Sequence, residues 1–535
     1  MSVSPSSQNA APDTLRPPVR WSPARWSILL SGLTLATLLV QGYHPLAEDG
    51  GLYVAGVEYT LNRALFPHFT EFVSEHLHYS IFAPVLAAMI RLTHLPLLIL
   101  LLFVNLLSIA LMLLGARAVL RRVTRNECAQ LAGIGLLAAL WTLPIAGTSL
   151  LLMDPYVTAR SLSTPLSLWA VAFALDDWKT DLNPFIGCVL TIALAAAFHP
   201  LMAGYALGFI VVLRILRSRR KVLLLAMLAI VTFGASAILQ ARAPAESAAV
   251  VLAAKSRYYW FLSQWHWYEI FGLIGPLLVL LALRNINRRS LGAHGVRLCD
   301  AGVLYGCLAA ALTFVFAPES YRAHIVARMQ PLRAFLTIYT IMLLLLGTSL
   351  QQIFESMAAS SEVRRYARYA AVPLVAAAAL SMFVTERAEF PASAHIELPW
   401  QLRQSANPWV RAFLWCRDNT PQDALFALNA HYITTPGEDA QTFRAIALRS
   451  VLPDYSKDGG EAAITPRLAR EWEAGFTAQL NLDVQTTAEL HHHLDPYGVG
   501  WVILRTSSPA TLNCPYRNEI LEVCRLMPDT SARQM

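Results

Sequence analysis

The feature that most limits what this chain can become is its series of long apolar runs. They fall at about 26–42, 96–116, 129–150, 162–176, 184–198, 201–216, 222–240, 269–284, 298–316, 332–350 and 370–385. A helix crosses a hydrocarbon core of roughly 30 Å with about 20 apolar residues. Backbone in lipid must satisfy its own polar groups, so the runs read as helices. The chain is 56% hydrophobic and only 14% charged, where soluble domains carry about 25% charged residues. The fold class is therefore an α-helical polytopic membrane protein with about eleven transmembrane helices. The formal charge of +7 does not point to nucleic acid, because the basic residues sit in short loops between apolar runs and form no stripe with a recognition motif.

Those loops also set an orientation. Residues 1–25 form a cytoplasmic N-terminal tail, Ser/Pro-rich over its first 20 residues and read as disordered. Arg16, Arg20 and Arg25 precede the first run, and no small-x-small cleavage pattern follows it, so it reads as an uncleaved first span. With the N-terminus inside, the inner loops are Arg117–Arg125, Asp176–Pro184, Arg214–Lys221, Arg284–Arg297 and the segment holding Arg364, Arg365 and Arg368. All but the acidic Asp176–Pro184 loop are basic, as cytoplasmic loops are. The outer loop 43–95 is net acidic, and its short apolar segment Ser80–Leu92 reads as a helix lying on the outer interface. An odd number of spans places the C-terminus outside.

Residues 386–535 change character and read as a soluble extracytoplasmic α/β domain beyond the transmembrane part, 26–385. Pro408–Asn419, Pro466–Leu480 and Thr486–Leu494 have helical spacing, while Ala424–Leu428, Val499–Leu504 and Glu519–Leu526 read as strands. Cys128, Cys188, Cys299 and Cys307 fall in or beside spans as buried apolar residues. Cys514 and Cys524 are a candidate disulfide in the outer domain, and no zinc-ligand spacing is present.

The segment richest in chemistry follows the first span: His44-Pro45-Leu46-Ala47-Glu48-Asp49-Gly50-Gly51-Leu52-Tyr53. Adjacent carboxylates at a membrane surface can act as a general base or hold a divalent cation such as Mg or Mn. The glycines permit a tight turn and the close approach of a substrate. The competing structural reading is a solvated turn that opens the next helix.

With this acidic pair, an outer amphipathic helix, a span ending in the basic loop Arg117–Arg122, and a soluble outer domain, the chain resembles the GT-C superfamily of membrane glycosyltransferases. The resemblance covers the architecture of the whole chain. It implies transfer of a sugar, hexosyl or pentosyl, from a polyprenyl-phosphate carrier, with an acidic residue of the first outer loop as base or metal ligand. Asp49 is the expected catalytic base, being shorter and fixed beside Gly50. Glu48 is the second choice, and both are possible ligands of a divalent metal.

Other outer-face residues are candidates for substrate binding. Asp154 and Arg160 lie in the second outer loop, where an Asp-Pro turn is the plain alternative. His199 sits between two runs. His266 and Glu269 belong to the aromatic stretch Tyr258–Glu269, otherwise an interfacial anchor. Arg322, His324 and Arg328 put positive charge on the outer side, against the usual bias, and their guanidinium groups suit a lipid-linked phosphate. Arg333, at the start of a span, is costly unless it pairs or snorkels. His491–His493 read as exposed helix surface, and Gly498-Val499-Gly500 is too weak for a nucleotide motif. The expected partners are the bilayer and a polyprenyl-phosphate-linked sugar, with the acceptor open, in a bacterial inner membrane. The competing functions are a transporter or flippase, disfavoured by nearly charge-free spans without repeated halves, and a non-catalytic scaffold of the same shape.

Overall fold

A computed structural model describes residues 21–357, 363, 366–367 and 369–526. The tail 1–20 and Arg364, Arg365 and Arg368 lie outside the described residues. Each apolar run carries a helix. These are α1 (Pro23–Gln41), α4 (Leu97–Val123), α5 (Glu127–Ala139), α6 (Ala159–Ala174), α7 (Asn183–Phe198), α8 (Pro200–Ile215), α9 (Lys221–Arg242), α10 (Trp267–Ile286), α11 (Arg288–Phe316), α12 (Phe335–Met357) and α13 (Ala371–Glu389). Among the described residues, seven helices are long and apolar enough to cross a membrane, α12 being counted with the turns from Ile325 that lead into it. The chain is a polytopic membrane protein. The segment 43–95 holds α2 (Glu48–Leu61) and α3 (Phe82–Thr93), with short helical turns at Glu71–Ser74 and Glu75–Tyr79 between them.

Local chemistry explains the ends. Ser22 caps α1 by accepting from the Arg25 N–H, and Pro23 fills the first turn, where no backbone donor is needed. Pro200 opens α8 in the same way, with His199 as its N-cap: the ring nitrogen accepts from the Met202 N–H at 3.4 Å. One run departs from expectation. The stretch 129–150 is helical only to Ala139. Beyond it the chain doubles back, with Ile145 N–H donating to the Leu150 carbonyl at 2.8 Å and a bridge between Pro144 and Leu151. Pro144 has no N–H to continue a helical ladder, and Gly147 lies against the Trp265 ring, so tertiary packing takes over an apolar stretch that composition alone extends as helix.

The helices pack closely where small residues meet. A Cβ added to Gly133 of α5 would stand 2.5 Å from the Leu344 carbonyl oxygen, and one added to Gly347 of α12 would stand 2.7 Å from that of Ala132. Without a hydrophobic drive between helices in lipid, such backbone proximity supplies the dispersion contact that holds them.

Beyond α13 comes a five-stranded sheet of β1 (Leu425–Leu428), β2 (Ser450–Val451), β3 (Trp501–Arg505), β4 (Asn513–Arg517) and β5 (Leu521–Arg525) in the order β2-β1-β3-β5-β4. β1 is parallel to β2 and β3, and the remaining pairs are antiparallel. The strand period of two sends Phe426, Trp501 and Ile503 toward Trp409 and Phe413 of α14 (Pro408–Asn419). Leu425, Val502 and Leu504 face the other side, toward Leu490 and Leu494. Cys514 and Cys524 form a disulfide between β4 and β5. The core around Phe426 runs on without a break into Tyr43, Leu46, Val54 and Val57 of the first outer loop, so sheet and membrane part share one apolar interior.

Replacing Gly347 with Val should overpack the α5–α12 contact and cost about 1–3 kcal/mol. It should read as a lower thermal unfolding midpoint of the protein in detergent, and an unchanged midpoint would mean that the two helices separate freely at this point.

Candidate active site at the outer-domain end of the bundle

The site begins at the first turn of α2. Glu48 lies in the left-handed region, with φ of 48°, a strain of about 1–3 kcal/mol for a residue with a side chain. Asp49 follows, and both carboxylates sit where unpaired N–H groups of the helix start favour negative charge. Gly50 and Gly51 do not form the open turn that their sequence suggests. They are helical, and a Cβ on Gly50 would stand 2.8 Å from Tyr156 Cβ, one on Gly51 2.3 Å from Thr442 Cβ. The two glycines let α2 wedge between Tyr156 and Thr442. They make room for protein, not for substrate.

The C-terminal segment 386–535 then supplies the residue that the sequence did not reveal. Helix α15 (Lys457–Ile464) presents Lys457, whose ammonium donates to Asp49 Oδ1 at 2.8 Å and to Glu48 Oε2. The lysine side chain is only 13% exposed, while Asp49 keeps 56% of its side-chain surface open. Asp49 therefore keeps an open face while the lysine that holds it is buried. The Lys457 ammonium, working against burial, holds the Asp49 carboxyl below the usual carboxylate range. Burial opposes the charge on Lys457, but Asp49 and Glu48 outweigh it and leave its pKa raised.

Around this ion triad lie four more groups. Asp154 and Arg160 form a buried pair, Arg160 also donating to the Leu151 carbonyl at 2.9 Å. Burial raises the Asp154 carboxyl, with Arg160 opposing and Asp49 adding to the rise. Arg333, in the turn before α12, reaches Asp49 electrostatically. It meets no carboxylate among the described residues; its guanidinium lies 5.3 Å from the Tyr259 ring centroid, and its Nε is buried without a hydrogen-bond partner. His199 is within electrostatic reach of Arg333 and Arg160, although its ring caps α8. On the other side of Lys457, His76 Nδ1 stands 3.7 Å from Glu461 Oε1. Burial pushes Glu461 up to about 8 and His76 down to about 4, so both are neutral near pH 7.

The remaining expected residues sit elsewhere. His324 and Arg328 both engage Glu246, at 2.7 and 2.8 Å, and Arg328 Nε donates to the Ala463 carbonyl at 2.8 Å. Arg322 contributes its carbonyl to the Glu246 N–H. Arg257 holds the opposite end of α15 through the Tyr455 and Ser456 carbonyls, at 2.8 and 2.6 Å. These arginines clamp the helix that carries Lys457. His266 and Glu269 form the cap of α10, where the Glu269 carboxylate accepts from the His266 N–H at 2.7 Å.

Glu48 and Asp49 do not match a metal's needs as the chain holds them. A divalent cation asks for several oxygen ligands around one point, but each carboxylate has an oxygen committed to Lys457, and Asp154 is committed to Arg160. The one ligand set that converges among the described residues, Cys514, Glu522 and Cys524, has both thiols consumed by the disulfide.

No protein-family model matches this sequence, and no curated protein matches it significantly. Solved structures do match. The archaeal oligosaccharyltransferase AglB from Archaeoglobus fulgidus, in complex with an inhibitory peptide and a dolichol-phosphate, aligns with 91% of this chain and 70% of its own at a TM-score of 0.50 and 12% identity. This chain and that oligosaccharyltransferase share a fold. Arabinofuranosyltransferase AftD from Mycobacteria aligns with 96% of this chain at a TM-score of 0.48 and 13% identity, and the alignment spans only 40% of AftD. A structure of the Archaeoglobus fulgidus oligosaccharyltransferase with zinc and sulfate aligns with 89% of this chain and 68% of its own, at 0.41 and 13%.

The raised Glu461 carboxyl has a consequence for stability. Its folded pKa of about 8 exceeds that of an unfolded glutamate, so the folded state holds a proton that the unfolded state releases. Stability from this group is present below about pH 4.3 and lost as pH rises toward 8. Glu461→Gln should remove that loss, so its thermal midpoint relative to wild type should climb between pH 5 and 8. A difference that stays constant across the range would contradict the assignment.

Proposed function

We propose that the protein is a membrane glycosyltransferase that moves a sugar from a polyprenyl-phosphate donor to an acceptor hydroxyl, at the end of the bundle covered by residues 386–535. In this reading eleven helices span the membrane, the N-terminus is cytoplasmic, and the covered end faces away from the cytoplasm. The observation that carries the reading is an ionised, accessible Asp49 with an arginine, Arg333, within its electrostatic reach that meets no carboxylate among the described residues. The GT-C fold and the dolichol-phosphate bound to AglB are consistent with a lipid-linked donor.

The chemistry follows from the charges. The acceptor hydroxyl approaches Asp49, which takes its proton as the oxygen attacks the anomeric carbon. The bond from that carbon to the phosphate oxygen breaks, and its electron pair leaves with the polyprenyl phosphate. Arg333 meets the charge on the departing phosphate, since a guanidinium fork matches phosphate oxygens. The Asp154–Arg160 pair, with the Arg160 bond to the Leu151 carbonyl, holds the 151–160 segment together within electrostatic reach of Asp49. Lys457 keeps Asp49 in the ionised form that a base requires.

Asp49→Asn should lower transfer on the order of 10²–10⁴-fold, the range of general-base contributions, when reconstituted membranes are given a panel of labelled polyprenyl-phosphate sugars. Full activity in that variant would remove Asp49 as the base. Arg333→Met should act on the donor and raise its KM about tenfold or more, equivalent to at least about 1.4 kcal/mol. The acceptor KM should be largely unaffected.

A further inference from the structure

We infer that Lys457 is the resident counter-ion of the Glu48–Asp49 pair, standing where a divalent cation would have to bind, so that this chain works at that pair without a metal. The inference deepens the proposed function and rests on it only for its activity readout.

Three features carry it. The first is position: one ammonium hydrogen-bonds an oxygen of each carboxylate, which is the bridging place of a cation shared by two carboxylates. A lysine is a compact point charge and fits such a place. The second is rigidity. The Lys457 backbone N–H donates to Asp454 Oδ1 at 2.6 Å, and Arg257 and Arg328 tie the carbonyls at the two ends of its helix. Asp458, one residue on, is buried against Arg444 at 2.6 Å, and a Cβ on Gly459 would meet the Arg257 guanidinium at 2.9 Å. These contacts fix the Lys457 backbone, and its 13% exposed side chain reaches both carboxylates from that fixed point. The third is the shortage of free ligands. Asp154 is neutralised by Arg160, and Glu461 lies beside His76, one turn along α15 from Lys457.

Lys457 is on this account a positioning residue, acting on substrate through the two carboxylates. It sets their charge and spacing as a metal would, but it cannot be chelated away.

The test uses the full-length protein in detergent with Mn²⁺ alone as probe, read by electron paramagnetic resonance and calorimetry. Wild type should take up no more Mn²⁺ than Asp49→Asn. Lys457→Met, checked for folding by its thermal midpoint, should gain one Mn²⁺ site, and the Lys457→Met/Asp49→Asn double variant should lose it. In the transfer assay, EDTA should change wild-type activity less than twofold. Lys457→Met should lose at least tenfold and recover part of it with Mn²⁺, and Lys457→Arg should retain more than Lys457→Met.

Asp49-dependent Mn²⁺ uptake by wild type would overturn the inference, as would loss of wild-type transfer in EDTA, or a folded Lys457→Met that binds no Mn²⁺. If Lys457→Met does not fold, the comparison of wild type with Asp49→Asn decides alone. The binding arm needs no sugar donor, so absence of transfer with every donor would count against the glycosyltransferase reading and leave this inference standing on Mn²⁺ uptake.

Discussion

The ion contact between Lys457 and the Glu48–Asp49 pair joins positions 408 and 409 residues apart, and much of the outer end of the molecule is arranged around it. Holding an ammonium largely out of water is costly unless opposite charges surround it. The chain meets that cost with two carboxylates on one side and a tightly bonded helix on the other. The left-handed conformation at Glu48, the helical glycines behind it and the arginine clamps on α15 all bring those three charges to one place.

The same end of the molecule shows how residues 386–535 are kept in register with the helices before them. His44, fully buried, stacks on Phe390 at 3.8 Å and meets Glu397 at 3.2 Å, while Gln441 bonds Glu397 from the outer domain. The His44 N–H donates to the Pro155 carbonyl at 2.8 Å, tying in the second outer loop. Buried polar networks of this sort fix geometry more than they add stability, because each member must find its partner for any of them to be satisfied. Here the geometry they fix is the spacing between α2, the Asp154–Arg160 pair and α15. The proposed site is made from three separate segments and needs such alignment, since small displacements of reacting groups lower the rate steeply.

Legibility in the sequence tracked the range of the interaction. The acidic pair was visible because adjacent carboxylates next to an apolar run are conspicuous in a single stretch of chain. Helix Pro408–Asn419 and the strands near 425, 501 and 521 were visible for the same reason, through local period and turn residues. The short strand Ser450–Val451 and the edge strand Asn513–Arg517 carry no such signal, the first having two residues and the second a proline. The outer-face arginines were visible as an exception to the charge bias, but their division of labour was not. Arg328 serves Glu246 and the Ala463 carbonyl while Arg333, five positions on, comes within electrostatic reach of Asp49, and nothing in the local sequence separates those two fates.

By itself the sequence determined that the chain lives in a membrane, where its helices lie and which segments between them carry charge. Those follow from the free energy of moving individual residues between water and lipid, a quantity each stretch carries on its own. Only the tertiary structure decided what the acidic pair faces. Ser456-Lys457-Asp458-Gly459 carries no motif, and its lysine meets the acidic pair only because α15 docks over α2. An ion contact between groups so far apart in the chain has no local signature, because its energy exists only when burial and geometry bring the charges together.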